Sequence, residues 1–107
     1  MSIIKRYWVY ILLCSDGSYY TGMTSDLENR MIEHYHGRYP GYTSTRRPVT
    51  LVFSEEFSDA SLAAAFERQV KGWSRAKKES LIRRDMSMLH ILAECKNSSH
   101  SSNYRMS

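Results

Sequence analysis

The stretch from Tyr7 to Gly22, YWVYILLCSDGSYYTG, limits the fold more than any other part of the chain. Two β-prone runs, Tyr7–Cys14 and Tyr19–Thr24, flank the turn residues Ser15-Asp16-Gly17-Ser18, which is the pattern of a β-hairpin. The turn admits two registers. A two-residue Asp-Gly loop pairs Ser15 with Ser18, sets Leu13 against Tyr20, and sends Tyr10 and Tyr20 to opposite faces. A three-residue loop with Gly17 in the left-handed conformation pairs Cys14 with Ser18. Tyr20 then faces Leu12, Tyr10 faces Gly22, and both phenols lie on one face of the sheet, because side chains alternate along a strand. The second register is the expected one. It leaves open space beside the Tyr10 phenol, where a glycine has no side chain to fill it.

The hairpin sets the order of the rest. Ser25-Asp26-Leu27-Glu28 is a capping-box pattern, with Ser25 as cap and Glu28 reaching back. A helix over Asp26–His36 follows, its buried stripe Leu27, Met31 and Tyr35 and its stop at Gly37. Arg30 and His34 share another face, turned partly away from that stripe. The segment Gly37–Pro48 is a loop that carries Arg38, Tyr39, Tyr42, Arg46 and Arg47. Val49–Phe57 reads as a third strand, with Leu51 and Phe53 on one side and Val52 on the other. The most apolar run belongs in the middle, so the sheet is expected to be antiparallel in the order 2-1-3. Ser58-Asp59 opens a helix over Ala60–Lys71 with Leu62, Phe66, Val70 and Trp73 as its core stripe. Ser74 restarts a basic helix to Arg84, and Asp85 caps a final apolar helix, Met86–Cys95. The fold class is therefore a small α/β domain: three antiparallel strands and about four helices. The domain spans 1–95, and the Ser/Asn-rich residues 96–107 form a disordered tail.

At 107 residues the chain supports one core. The cysteines have no metal-ligand spacing: Cys14 and Cys95 lie far apart in apolar runs and read as buried free thiols. No apolar run approaches the roughly 20 residues of a membrane span, and no signal-peptide core is present. A cytoplasmic protein is expected. Fifteen Lys and Arg against eleven Asp and Glu give a net charge of +4, which solubility alone explains. The distribution says more. Basic and aromatic residues cluster in the 37–48 loop and again at Lys71, Arg75, Lys77, Lys78, Arg83 and Arg84. Arginine interleaved with tyrosine suits phosphate contact with base or sugar stacking.

Taken singly, the polar residues have ordinary explanations. Glu67 suits a helix ion pair with Lys71, Arg30 a pair with Asp26 or Glu33, and His34 a helix-end position. His34-x-His36 has no matching second pair for zinc. As a set they resemble the GIY-YIG endonuclease domain, most closely its small stand-alone bacterial members. Trp8-Val9-Tyr10 stands where that family has Gly-Ile-Tyr, and Tyr20-Thr21-Gly22 where it has Tyr-Ile-Gly. Arg30 matches the family's helical arginine, with His34 one turn on, and Glu67 matches its metal-binding glutamate. Order and spacing agree from Tyr7 to Ile82.

The resemblance implies a metal-dependent nuclease that hydrolyses DNA phosphodiesters. Its catalytic residues would be Tyr10, Tyr20, Arg30, His34 and Glu67, with Glu67 holding one Mg²⁺ or Mn²⁺. Tyr10 would be the general base, Arg30 would offset phosphorane charge, and Tyr20 would bond a phosphate or the attacking water. Arg38, Tyr42, Arg46, Arg47, Lys71, Arg75, Lys77 and Lys78 would contact DNA. The glutamate helix is followed by Arg75–Ser80 without the asparagine some restriction-type members carry, a contribution either absent or taken by Lys78. No DNA-recognition appendage follows, so substrate shape, or a protein partner, is expected to set specificity.

Overall fold

The computed structural model describes residues 5–85 and 91–93. β1 (Tyr7–Leu13) lies between β2 (Tyr19–Thr24) and β3 (Thr50–Phe57), antiparallel to both, in the expected order 2-1-3. Cys14 N–H donates to Ser18 O at 2.8 Å and Gly17 has φ +87°, so the hairpin closes through the three-residue loop. Leu12 pairs with Tyr20 and Tyr10 with Gly22, which puts both phenols on one face.

The central strand feeds two cores at once. Val9 and Ile11 join Phe53, Phe57, Ala63, Phe66, Val70 and Leu81 beneath α2 (Ala60–Lys71) and α3 (Arg75–Arg83). Tyr10, Leu12 and Cys14 face the other way, onto Met31 of α1 (Leu27–Tyr35) and onto Val49. Val9 through Leu12 are all fully buried, which is why this run carries no polar alternation. Asp59 and Ser74 cap α2 and α3 through their side chains. Residues 91–93 are helical, and Leu92 is buried in the α2 core. The rest of the expected helix Met86–Cys95, and the tail 96–107, lie outside the described residues. No helix among the described residues is long and apolar enough to cross a membrane.

Three local expectations are corrected. Asp26, not Ser25, caps α1: its carboxylate accepts from Asn29 N–H, and Thr24 Oγ1 accepts from Asp26 N–H. Ser25 is thus left outside the helix and no capping box forms. The α1 stripe is Leu27, Met31 and His34, whereas Tyr35 is 45% exposed. Steps of four residues overshoot a helical turn by about 40° each, so by the second step the i+7 residue points more nearly inward than i+8. His34 is therefore buried, not turned aside, and Tyr35 lines an open apolar groove with Trp8, Ile32 and Leu51. Finally, Leu51 and Phe53 pack on opposite sides. Ile11 pairs with Phe53 but Leu12 with Leu51, so Val52 is an extra residue, and the bulge reverses the alternation.

Phe66 is fully buried against the rings of Phe53, Phe57 and Trp73. Phe66→Ala is expected to destabilise the fold by about 3–5 kcal/mol. Tyr35→Ala should stay within about 0.5 kcal/mol. Urea denaturation followed by circular dichroism measures both.

Candidate active site

Tyr10 leaves β1 toward α1 and runs over the backbone of Gly22 on β2. A Cβ at Gly22 would sit 2.5 Å from Tyr10 Oη, so only glycine admits the phenol there. Tyr10 Oη and His34 Nε2 are 2.9 Å apart, and His34 Nδ1 lies 2.8 Å from Thr43 Oγ1. Tyr10, His34 and Thr43 are essentially without solvent exposure. Thr43 belongs to a 3₁₀ turn, Tyr42–Thr45, in the loop after α1.

The other members surround this line. Arg30 puts its charge beside Tyr10, pairs with Glu33 at 3.2 Å, donates to Met23 O and stacks over the Tyr39 ring at 4.5 Å. Tyr39 in turn lies 4.5 Å from the His34 ring and within electrostatic reach of Tyr20. The Tyr20 ring stands 6.3 Å from Tyr10, 5.5 Å from His34 and 6.0 Å from Tyr42, which stacks on it. Glu67, on α2, keeps 18% of its side chain exposed and pairs with Lys71 at 3.1 Å. Its charge also acts on Tyr10.

The electrostatics follow from burial. Loss of water pushes the Tyr10 phenol up to about 12; the charges of Tyr39 and Glu67 raise it further, and Arg30 only partly opposes them. Burial raises Tyr20 as well, with Tyr10 and Tyr39 adding to the effect. His34 moves the other way, down to about 4, through burial first and the Arg30 charge second. At neutral pH the line therefore consists of a neutral phenol, a neutral imidazole and a hydroxyl, beside a guanidinium that stays charged.

Of the residues expected in the site, Tyr10, Tyr20, Arg30 and His34 come into contact, and Glu67 stands within electrostatic reach. Tyr39 and Thr43 complete the cluster. Tyr39 was legible only as one aromatic in a basic loop, and Thr43 carried no signal, being one hydroxyl in Thr-Ser-Thr. Several basic residues proposed for DNA contact also brace the fold. Arg46 bonds Asp16 at 3.0 Å and Tyr42 O, Arg47 donates to Tyr35 O, and Arg75 donates to Gly17 O at 2.6 Å. Lys77 lies over Trp73, while Arg38 is exposed and Lys78 half-buried.

Residues 6–80 match the GIY-YIG catalytic domain. The chain belongs to the GIY-YIG family. It is 46% identical to a UPF0213 protein of Staphylococcus saprophyticus over 74% of this chain and 96% of that one. A UPF0213 protein of Halobacterium salinarum is 48% identical over 68% of this chain and 95% of its own. Among solved structures, a UPF0213 protein from Bacillus halodurans is 41% identical with a TM-score of 0.52, covering 75% of this chain and 85% of that one. A protein from E. faecalis is 35% identical with a TM-score of 0.54, over 78% and 88% of the two chains. Membership of this GIY-YIG family supports a nuclease-type function.

The depressed His34 has a measurable consequence. Its imidazole is expected to stay neutral through the range near 6.5 where an ordinary histidine titrates. Because the unfolded chain then binds a proton that the folded one does not, this residue makes stability fall as pH drops from about 6.5 toward 4. NMR titration of the His34 ring, with denaturation curves at each pH, tests it.

Proposed function

We propose that the protein is a divalent-metal-dependent endonuclease acting on DNA phosphodiesters, directed by substrate structure or damage with weak sequence preference, as in repair or recombination. The observation that carries this reading is the convergence of Tyr10, Tyr20, Arg30 and His34 from three elements, with the Glu67 charge acting on the Tyr10 phenol. Among the described residues no three His, Cys, Asp or Glu side chains form a metal-holding group. A lone carboxylate nevertheless fits Mg²⁺ or Mn²⁺, which retain waters and take one or two carboxylates with substrate phosphates. Glu67 would hold it once Lys71 gives way, and the ion would polarise the phosphate and stabilise the leaving oxygen.

The remaining chemistry falls to side chains. Arg30 receives the phosphate and offsets the charge that builds on it in the transition state. Drawn onto phosphate, Arg30 leaves the Tyr39 ring, which opens a way to the buried Tyr10 oxygen. A water there loses its proton to Tyr10 as the phenol passes its own to His34. Tyr20 orients the phosphate or the water. Lys71, Lys77, Lys78, Arg38 and the loop arginines track the backbone, and a protein partner would add selectivity.

A second reading, a nucleic-acid-binding module that kept the fold, is favoured by the complete burial of Tyr10 and the Glu67–Lys71 pair. One assay separates the two. Supercoiled plasmid and a branched oligonucleotide are incubated with and without Mg²⁺ or Mn²⁺. The nuclease gives metal-dependent nicking that Glu67→Ala abolishes and Arg30→Ala slows by about 10²–10³. Salt-sensitive binding without nicking identifies the module.

A further inference from the structure

We propose that the flank of α1 turned away from the catalytic cluster is a self-association surface, on which a second copy of this chain docks with the two helices antiparallel about a two-fold axis. Neither the surface nor its occupant depends on the nuclease reading above.

At about 100° per residue, Glu28, Ile32 and Tyr35 fall within about 60° of one another on α1, and Arg30 lies about 140–160° round from them. Ile32 is 43% exposed and Tyr35 45%, which leaves two large apolar side chains of one helix in water. Behind them Trp8, Met31 and Leu51 line a groove of about 630 Å³ that no described residue fills. The patch thus carries apolar knobs on its lip and, beside them, the hollow that such knobs fill. A two-fold contact requires both on one surface, because each copy must give what it receives. A peptide or an unrelated protein would need the hollow alone.

The charges fit the same arrangement. Glu28 stands exposed in the first turn of α1, beside the capping Asp26. At the other end Gly37 N–H donates to His34 O and Arg38 N–H to Glu33 O, which turns the chain off the helix and fixes exposed Arg38 there. Neither Glu28 nor Arg38 has an ion-pair partner among the described residues. Antiparallel docking sets the acidic end of each helix on the basic end of the other, whereas parallel docking would set like charges together. Along the chain the midpoint of Glu28 and Arg38 falls between Ile32 and Tyr35, so an axis that pairs the charges also crosses the apolar residues. Arg38 then meets a carboxylate in the dimer, and a phosphate only where DNA displaces the second copy. Arg30, on the opposite flank, stays clear of the contact. With α1 only nine residues long, the contact lies at the small end of specific interfaces, and the dimer is weak, with Kd on the order of 10–100 µM.

Analytical ultracentrifugation of the full chain from about 1 µM to about 1 mM, a range that brackets such a Kd, reads the association. The mean mass is expected to rise from monomer toward dimer across it. Tyr35→Ala removes a knob from both sides of the axis and should raise Kd about tenfold or more. Glu28→Arg and Arg38→Glu should each weaken the dimer about two- to tenfold at low salt. The double swap should restore it, because every chain then carries both reversed partners. A wild type that stays monomeric throughout overturns the proposal, whatever else covers the groove. So does a dimer that Tyr35→Ala leaves unchanged, since its contact lies elsewhere. If Tyr35→Ala does not fold, the charge series decides at two exposed positions, and a double swap no tighter than the single ones is equally fatal.

Discussion

A phenol hidden from water has to find a partner, and most of this half of the molecule is arranged around that need. Tyr10 lies on the middle strand with no exposed surface, and its oxygen is answered by His34 from α1, with the charge of Arg30 one turn earlier acting on it. That demand fixes the phase of α1: the helix must turn the Arg30–His34 face, and not Tyr35, toward the sheet. It also requires bare backbone at Gly22, because any side chain there would occupy the position of the phenol. The same burial that makes the partnership necessary keeps both rings uncharged, since a neutral pair is what a dry setting tolerates.

The strand order, the hairpin register and α2 and α3 were legible because each rests on local signals: a turn sequence, an apolar run too long for alternation, and Asp59 and Ser74 ahead of helices. The failures share a cause. The cap of α1, its buried stripe and the side preference of Leu51 all depend on accumulated phase, where a single residue matters. Val52 shows this most clearly. Nothing in TLVF says that one residue is extra, because the bulge arises from pairing with β1, a relation distant in sequence.

For the site, the sequence named the residues whose types are chemically loud: two tyrosines, an arginine, a histidine and a carboxylate. It did not reach Thr43 or the central place of Tyr39, since a hydroxyl or a ring in a loop gains its role only from what it meets after folding. Nor did it separate basic residues that face solvent from those such as Arg46 and Arg75 that also fasten one segment to another.

The fastening at Arg46 reaches further than its half-exposed position implies. The tip of the hairpin accepts this guanidinium on Asp16, and Ser15 N–H donates to Arg46 O, so the turn and the loop behind Thr43 move as one piece. A surface turn of this kind is ordinarily where evolution inserts residues or an engineer attaches a label. In this fold such a graft would be felt at the buried line of Tyr10, His34 and Thr43 before it disturbed the hairpin itself.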